Sequence, residues 1–499
     1  MYSYHIFYFP FKWENQEAKD KTFSRQTSLD GLKLNEHSNW IQTFEPVDAE
    51  ESDLLYNEMN YYYQFVHPVM YDKKEKDSII RHFERKETQN KDNLVEYKIV
   101  TEKKTYTLKV DAINMNLYTT GVGMLSFYLI NERDDQKEPD DILSINQFGR
   151  RIFPPYIGDI EARSLIPKSI SIEGLKGNGM QYYEDFYGYR DKNHPDEVYK
   201  KSWSPSSFIC KLITDLVSDI IVLPVIDDRM FVNCWYGNDE LSNDLKDDKK
   251  YDDFIMKANS DFWYKYVFVD SGDPTCQNDK MKKRLLEEQT YTRWQKYGSL
   301  FGASRYSFVL LTNTEWFAMN VLTKHMRTIY ARMIELVLIQ RASALKFSDE
   351  VTRVSRLSKG KKDDKLMILQ ISDLHREYIR FVNKIYFREV TAQDQGIEIY
   401  NLMLRVLNTD SYIRDLDDEI EELHHYLSIL DDRVRIRNSE NLNLIAALFI
   451  PATLATGVFG MNYGSEDIIP NFWIQFGVVI VSTSIMFGIL QLFNKNKKK

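Results

Sequence analysis

One short stretch near the middle of the chain combines residue types that bind small ligands. Tyr297, Ser299 and Ser304 alternate with small and aromatic residues, and Arg293 and Arg305 accompany them. Aromatic rings offer flat surfaces, and guanidinium groups bind phosphate, so these five residues are typical of a pocket for a planar anionic ligand such as a nucleotide. A tightly packed turn has the same composition, and the sequence leaves both interpretations open.

Acidic side chains are concentrated at residues 411–432, where Arg414 is the one arginine that opposes them. Such a stretch can attract cations or act as a low-affinity Mg²⁺ sensor between subunits. It is also typical of the solvated face of a coiled coil. The sequence therefore assigns no metal ligand in the part of the chain before the last sixty residues.

Motifs of known enzyme classes are missing from the sequence. The glycines at 174, 177 and 179 have neither dinucleotide-binding nor P-loop spacing, and neither His-Glu-x-x-His nor Gly-x-Ser-x-Gly occurs. Cys210, Cys234 and Cys276 are widely spaced, match no zinc pattern and are expected to be reduced thiols. We therefore expect a protein that is not an enzyme.

Length and charge restrict the organisation further. The chain has 499 residues, which is more than one compact core usually accommodates. Its formal net charge is −9, and no basic stripe appears outside the C-terminal region, which argues against direct nucleic-acid binding.

Two stretches near the end of the chain, residues 442–459 and 472–493, contain no charged side chain. Each approaches the length of helix that crosses the roughly 30 Å hydrocarbon core of a bilayer. Arginines precede the first stretch and lysines follow the second, which predicts cytoplasmic N- and C-termini. The sequence thus predicts a multi-pass protein of the inner or plasma membrane, in contact with lipid.

Hydrophobic periodicity predicts the rest of the architecture. Alternating residues predict strands before residue 315, including a hairpin at 94–111, two short strands at 220–235 and one strand at 262–270, whereas the charged stretch 238–253 predicts an exposed loop. A heptad stripe from residue 397 predicts one long helix that continues into the first span. The predicted fold class is an α+β cytosolic domain, a long α-helical stalk and a two-span transmembrane hairpin. The corresponding domains are residues 1–315, 316–440 and 441–499, with spans at about 441–460 and 472–493.

Five residues of the first span recur on one side of the predicted helix. The spacing is that of an α-helical face, so these residues are candidates for the lining of a conduction path. A packing stripe of small residues between membrane helices has the same spacing, and this alternative stays open. The residues are Leu442, Ala446, Ile450, Thr453 and Gly457.

The first span ends in Gly460-Met461-Asn462 and contains Pro451 in its middle. This arrangement resembles the CorA family of divalent-cation channels, whose signature is Gly-Met-Asn at the outer end of the first of two C-terminal spans. The resemblance implies a homopentameric channel for Mg²⁺, Co²⁺ or Ni²⁺, with these three residues as the selectivity filter. A ring of Asn462 amides would contact the hydrated ion at the outer mouth, because Mg²⁺ sheds its water reluctantly.

Glu466 and Asp467 follow the signature in the predicted outer loop. In the CorA family, acids of this loop raise the local concentration of cations. Ordinary solvation of a loop explains them equally well.

Residues 1–315 match no motif of the CorA family. In having such a divergent N-terminal domain, the chain resembles a CorA-like subgroup associated with type III CRISPR defence. In that alternative the membrane protein is an antiviral effector gated by a nucleotide second messenger of the adenylate or SAM-AMP type. The sequence leaves the gating ligand open.

Overall fold

The computed structural model describes most of the chain as two compact units. The first unit comprises the described parts of Met1–Ser355 and Asp373–Ile420, and the second those of Arg356–Ser372 and Glu421–Lys499. The described residues are 1–18, 21–44, 58–73, 78–89, 94–152, 166–176, 181–187, 205–256, 261–356 and 364–460, with Trp473, Phe476, Gly477, Ile480, Val481, Ser484 and Gly488.

Thirteen strands form one mixed sheet in the first unit. The main path runs β11-β12-β13-β10-β1-β6-β5-β4-β7-β8, while β9 pairs with β1, β3 with β5, and β2 with β3. The pair β10–β13 is parallel, and the other pairs are antiparallel. The strands are β1 (Ser3–Asn15), β2 (Trp40–Gln42), β3 (Ile80–Arg85), β4 (Glu96–Val100), β5 (Thr105–Tyr118), β6 (Val122–Asn131), β7 (Ser169–Glu173), β8 (Tyr182–Asp185), β9 (Ile220–Pro224), β10 (Phe231–Gly237), β11 (Thr290–Tyr291), β12 (Leu300–Ala303) and β13 (Ser307–Thr312).

The helices lie between the strands along the chain and after the last of them. Short 3-10 helices occur at Gln16–Ala18, Leu29–Gly31, Gln64–Val66, Asp134–Gln136 and Gln295–Tyr297, and a π-helix at Ala318–Leu322. The α-helices are α1 (Phe23–Gln26), α2 (His67–Met70), α3 (Lys86–Gln89), α4 (Pro139–Gly149), α5 (Ser207–Leu216), α6 (Asp239–Lys246), α7 (Asp248–Met256), α8 (Phe262–Phe268), α9 (Asp279–Gln289), α10 (Thr323–Arg327), α11 (Ile329–Arg356), α12 (Asp364–Lys384), α13 (Asp394–Val406) and α14 (Thr409–Gly460).

The apolar strand β1 lies at the centre of the sheet. It pairs with β6 along most of its length, with β10 up to Tyr8 and with β9 from Phe11 onward. The change of partner falls at Pro10, whose ring removes one backbone donor. Alternate side chains point to opposite faces of a strand, so β1 supplies large apolar groups to both sides of the sheet.

Helices cover both faces of this central region. On one face the Phe208 ring of α5 lies 6.4 Å from the Tyr97 ring and 6.3 Å from the Phe127 ring. On the other face the Tyr8 hydroxyl donates a hydrogen bond of 3.0 Å to the carbonyl of Ala331 in α11. The core therefore consists of two layers, one on each side of the sheet.

Several predicted elements differ from the structure. The aromatic stretch at residues 262–270, predicted as a strand, contains the helix α8, and the charged stretch at 238–253, predicted as an exposed loop, contains α6 and most of α7. The single long helix predicted from residue 397 is two helices, α13 and α14. Asn408 separates them with a φ of 54°, a left-handed conformation that asparagine tolerates better than most residues.

The predicted membrane architecture is corrected by the structure. Among the residues that the structure describes, no helix combines the length and the apolar character that crossing a bilayer requires. Charged side chains continue along α14 as far as Glu440, and beyond Gly460 the structure describes only separate single residues. The chain instead shows a large mixed sheet with helices, so the predicted fold class with a transmembrane hairpin is wrong.

The same finding corrects three predictions that depended on the hairpin. These are the function as a CorA-like divalent-cation channel, its alternative as a nucleotide-gated membrane effector of antiviral defence, and the multi-pass localisation in the inner or plasma membrane. Each required helices that span a bilayer.

Candidate ligand-binding site

A cavity of about 430 Å³ lies beside β12 in the first unit, and we call it the aromatic cavity. Half of its twelve lining residues carry rings, and the other half carry polar, acidic or aliphatic side chains. The rings belong to Trp294, Tyr297, Phe301, Phe317, His325 and Tyr330, and the other lining residues are Ser299, Asn313, Glu315, Ala318, Leu322 and Gln395.

A tight turn places the first part of the lining. Tyr297 ends a 3-10 helix, and Gly298 then adopts a φ of 75° before β12 begins. A Cβ atom at Gly298 would lie 2.3 Å from the Ser242 hydroxyl oxygen, which donates a hydrogen bond of 2.8 Å to the Gly298 carbonyl. Glycine is therefore required by both conformation and space, and it sets the directions of Tyr297 and Ser299.

Another part of the lining follows β13 along the chain. The π-helix Ala318–Leu322 begins directly after Phe317, and the Thr323 hydroxyl donates a hydrogen bond of 2.9 Å to the Ala318 carbonyl. The wider turn of a π-helix is common at functional sites. It places Ala318, Leu322 and Phe317 on the same cavity.

The inner end of the cavity is uncharged. The His325 ring lies 6.2 Å from the Tyr330 ring at an angle of 85°, and the Phe301 ring lies 5.8 Å from Tyr330 at 80°. Burial lowers the pKa of His325 and raises that of Tyr330, so both side chains are neutral at pH 7. A neutral imidazole offers one hydrogen-bond donor and one acceptor to a ligand.

The charges near the mouth are mostly compensated within the protein. Arg293 stacks over Trp294, with 5.8 Å between the guanidinium carbon and the ring centre, and its Nη1 lies 2.6 Å from Glu398 Oε1. Tyr291 donates a hydrogen bond to the same carboxylate. Glu315 is exposed and is the acidic residue in the described lining.

The structure brings together part of the pocket expected from the sequence. Tyr297 and Ser299 line the aromatic cavity, and Arg293 lies against its Trp294. Ser304 is buried and is not among the lining residues; its hydroxyl donates a hydrogen bond of 2.6 Å to the Val267 carbonyl. Arg305 is exposed after the end of β12 and is not among the lining residues.

Comparison with known proteins gives no further assignment, since no protein-family model and no curated protein matches the chain. The resemblance to the CorA family therefore stays a prediction based on Gly460-Met461-Asn462.

The residues predicted to line a pore have a common location. All five lie in the part of α14 that belongs to the second unit: Leu442, Ala446, Ile450, Thr453 and Gly457. Leu442 and Ile450 are exposed there.

The predicted selectivity filter begins where the description of the structure stops. Gly460 is the last residue of α14, whereas Met461, Asn462, Glu466 and Asp467 lie outside the described residues. Their predicted roles in selectivity and cation attraction are not tested by the structure.

A metal site cannot be built from the described residues, where no group of three or more histidine, cysteine, aspartate or glutamate side chains is arranged to hold an ion. Mg²⁺ as a regulatory ion stays a prediction from the resemblance.

Several lining residues were not anticipated from the sequence. Phe317, His325 and Tyr330 come from segments after the predicted pocket, and Gln395 comes from α13. The adjacent exposed rings of Trp316 and Phe317, which follow a buried strand, are the one available signal. Nothing in the sequence indicates that Gln395 lines this cavity, because it is far along the chain from the other lining residues.

A buried chain of hydrogen bonds resembles the triad of a hydrolase in its residue types. Ser3 Oγ lies 2.8 Å from His5 Nε2, and His5 Nδ1 lies 2.7 Å from Asn146 Oδ1. Ser3 and His5 are 0% exposed and Asn146 is 1% exposed. A nucleophile must reach its substrate, so this arrangement stabilises the core and is not a candidate active site.

Proposed function

We propose that this protein is a small-molecule-binding protein whose aromatic cavity takes a planar heteroaromatic ligand of the nucleoside class. The observation that carries this proposal is the convergence of rings from three separate segments, represented by Trp294, Phe317 and Tyr330, on one cavity. Stacking between rings is favourable for any base, because every base has a flat π face.

The size of the cavity supports a ligand of this class. Its volume of about 430 Å³ lies within the roughly 300–1,000 Å³ range of small-molecule sites. Such sites combine apolar walls with a few polar groups that orient the ligand. Here the polar groups are His325, Asn313, Gln395 and the Ser299 hydroxyl.

The charges favour a nucleoside or free base over a nucleotide. No lysine or arginine is among the described lining residues, and the nearby Arg293 already pairs with Glu398. A phosphate group placed near Glu315 would be repelled. The exocyclic amino group of a base, by contrast, would find an acceptor in the Glu315 carboxylate.

The proposal is tested by calorimetric titration of the full-length protein with adenosine, guanosine, cytidine and uridine. We expect at least one nucleoside to bind to the wild-type protein. Replacement Tyr297→Ala should weaken that binding by about 5- to 150-fold, the equivalent of the roughly 1–3 kcal/mol that base stacking contributes.

Trp316→Ala provides a matched control. Tyr297 and Trp316 are each 73% exposed, but only Tyr297 lines the cavity. Trp316→Ala should bind the nucleoside as the wild type does. Equal loss of binding in both variants, or no binding of any nucleoside by the wild type, would contradict the proposal.

A further inference from the structure

A second cavity, of about 590 Å³, lies in the first unit where β3, β5 and β6 meet α10 and α11. We call it the β5 cavity, because consecutive residues of β5 form one of its walls. Its lining is polar and charged, unlike that of the aromatic cavity. The polar lining residues include Glu84, Lys109, Asp111, Asn114, Tyr128 and Arg327.

An irregularity in the sheet shapes the β5 cavity. The register between β5 and β6 shifts between Val110 and Ala112, so Asp111 is an extra residue in its strand. The Asp111 carboxylate accepts a hydrogen bond of 2.7 Å from the Tyr4 hydroxyl and lies 2.8 Å from Arg327 Nη2. Bulges of this kind redirect side chains and are over-represented beside functional sites.

The charges of the lining are balanced in number. Glu58, Glu84 and Asp111 oppose Lys109, Arg327 and Arg332. Four of these groups form two ion pairs. Glu58 Oε1 lies 3.2 Å from Arg332 Nε, and Asp111 pairs with Arg327. Outside these two pairs lie one negative group, Glu84, which is beside His82, and one positive group, the exposed Lys109.

Glu84 is ionised at neutral pH. A hydrogen bond from His82, at 3.2 Å, lowers the pKa of Glu84 to about 2. Gln89 also donates a hydrogen bond of 3.0 Å to this carboxylate. The side of the cavity that Glu84 forms is therefore negative.

Three polar groups of the lining have no partner within the described part of the chain. Lys109 is exposed and its ammonium makes no ion pair or hydrogen bond there, and the hydroxyl of the buried Tyr128 makes no hydrogen bond. Asn114 Oδ1 is buried without a hydrogen-bond partner. Buried polar groups in native proteins are nearly always satisfied, so the Tyr128 hydroxyl and Asn114 Oδ1 indicate a missing polar partner on this cavity, beside the exposed ammonium of Lys109.

We propose that the β5 cavity binds a zwitterion of the α-amino-acid class. Lys109 and the Tyr128 hydroxyl would donate to the ligand carboxylate, while Asn114 Oδ1 and Glu84 would accept from its ammonium group. A ligand with one charge of each sign keeps the site neutral and gives each unpartnered group a partner. A simple anion would use only the donors of the site, Lys109 and the Tyr128 hydroxyl, and a simple cation would use only its acceptors, Asn114 Oδ1 and Glu84.

Thermal unfolding of the full-length protein in the presence of each of the twenty common L-amino acids tests this proposal. A ligand that binds only the folded state raises the unfolding temperature by mass action. We expect at least one amino acid to raise it. The N-acetyl and the carboxamide derivatives of that amino acid should each fail to do so, because each lacks one of the two charges.

Two variants locate the binding. Lys109→Gln and Tyr128→Phe should each weaken binding of the effective amino acid by about 10-fold, while leaving the unfolding temperature without ligand unchanged. Lys103→Gln is the matched control, because Lys103 is exposed in the turn before β5 and does not line the cavity. It should bind as the wild type does.

The proposal is overturned if none of the amino acids stabilises the protein, if a blocked derivative stabilises it equally, or if inorganic phosphate alone does so. It is also overturned if Lys109→Gln binds the amino acid with wild-type affinity.

Discussion

His5 shows how much a single residue in the core of this sheet depends on its surroundings. Its imidazole is fully buried between Ser3 and Asn146, and Cys234 Sγ lies 3.3 Å from its Nδ1. Burial lowers the pKa of His5 to about 4 and raises that of the Cys234 thiol to about 12. Both groups are therefore neutral at pH 7, which is the state that a dry core requires.

The depressed pKa of His5 predicts a loss of stability in mild acid. Below about pH 6.5 the unfolded chain binds a proton at this imidazole, whereas the folded chain does so only near pH 4. The contribution is therefore complete above pH 6.5 and is lost as the pH falls towards 4, by up to about 3 kcal/mol. Urea unfolding between pH 7.5 and pH 4.5 measures this slope.

Replacement of the imidazole checks the assignment. His5→Gln should reduce the change in the free energy of unfolding across this pH range, whatever its effect on stability at pH 7. His37→Gln, at an exposed position, should retain the wild-type slope. An unchanged slope in His5→Gln would show that other groups cause the acid sensitivity.

At the scale of elements, the turn at Gly298 controls the aromatic cavity. Gly298→Ala would place a methyl group against Ser242 at a φ of 75°. We expect a loss of about 1–3 kcal/mol in the free energy of unfolding, together with weaker nucleoside binding, because Tyr297 and Ser299 would be displaced. Chemical unfolding and calorimetry measure the two effects.

Gly272→Ala is the control for this substitution. A Cβ atom there would lie 3.7 Å from Asp270 Oδ1, an ordinary contact, and the position is exposed. We expect a change within about 0.5 kcal/mol. Similar losses in both variants would mean that the Gly298 turn has no special role.

The sequence predicts elements well where one pattern dominates. Alternating residues on both sides of the polar stretch 101–104 predict the hairpin of β4 and β5, which the structure confirms. The apolar stretch around Asp227 and Asp228 predicts two strands, confirmed as β9 and β10. In these cases side-chain alternation and turn residues agree.

Prediction fails where a pattern is ambiguous. The residues of α8 are aromatic or apolar except for Lys265, so their periodicity does not distinguish a buried helix from a strand. The charged residues after β10 suggest a loop, but Asn238 caps a helix by accepting a hydrogen bond of 2.9 Å from the Leu241 amide. Asn238 is therefore a helix-start signal in the sequence, but the many charged residues after it led to the prediction of a loop.

At the scale of the whole molecule, local composition led to the wrong architecture. The prediction of a channel depended on uncharged stretches near the end of the chain and on the three residues Gly460, Met461 and Asn462. The described residues contain no helix that meets the requirements for a membrane span, and they contain instead a sheet of thirteen strands.

The two cavities also illustrate what a sequence cannot provide. The aromatic cavity joins Trp294 to Gln395, and the β5 cavity joins Glu58 to Arg332. No spacing rule connects residues so far apart, because their proximity results from the order of strands in the sheet. Apart from the adjacent rings of Trp316 and Phe317, only the segment around Tyr297 and Ser299 carried a local signal, through its aromatic and small residues.

Nucleoside binding in the aromatic cavity is tested most directly by an experimental structure of the full-length protein with the nucleoside that binds most tightly. We predict that the base lies in the aromatic cavity, in contact with Trp294 and Phe317, and within hydrogen-bond distance of Glu315 or His325. A nucleoside bound elsewhere while this cavity stays empty would contradict the proposed function.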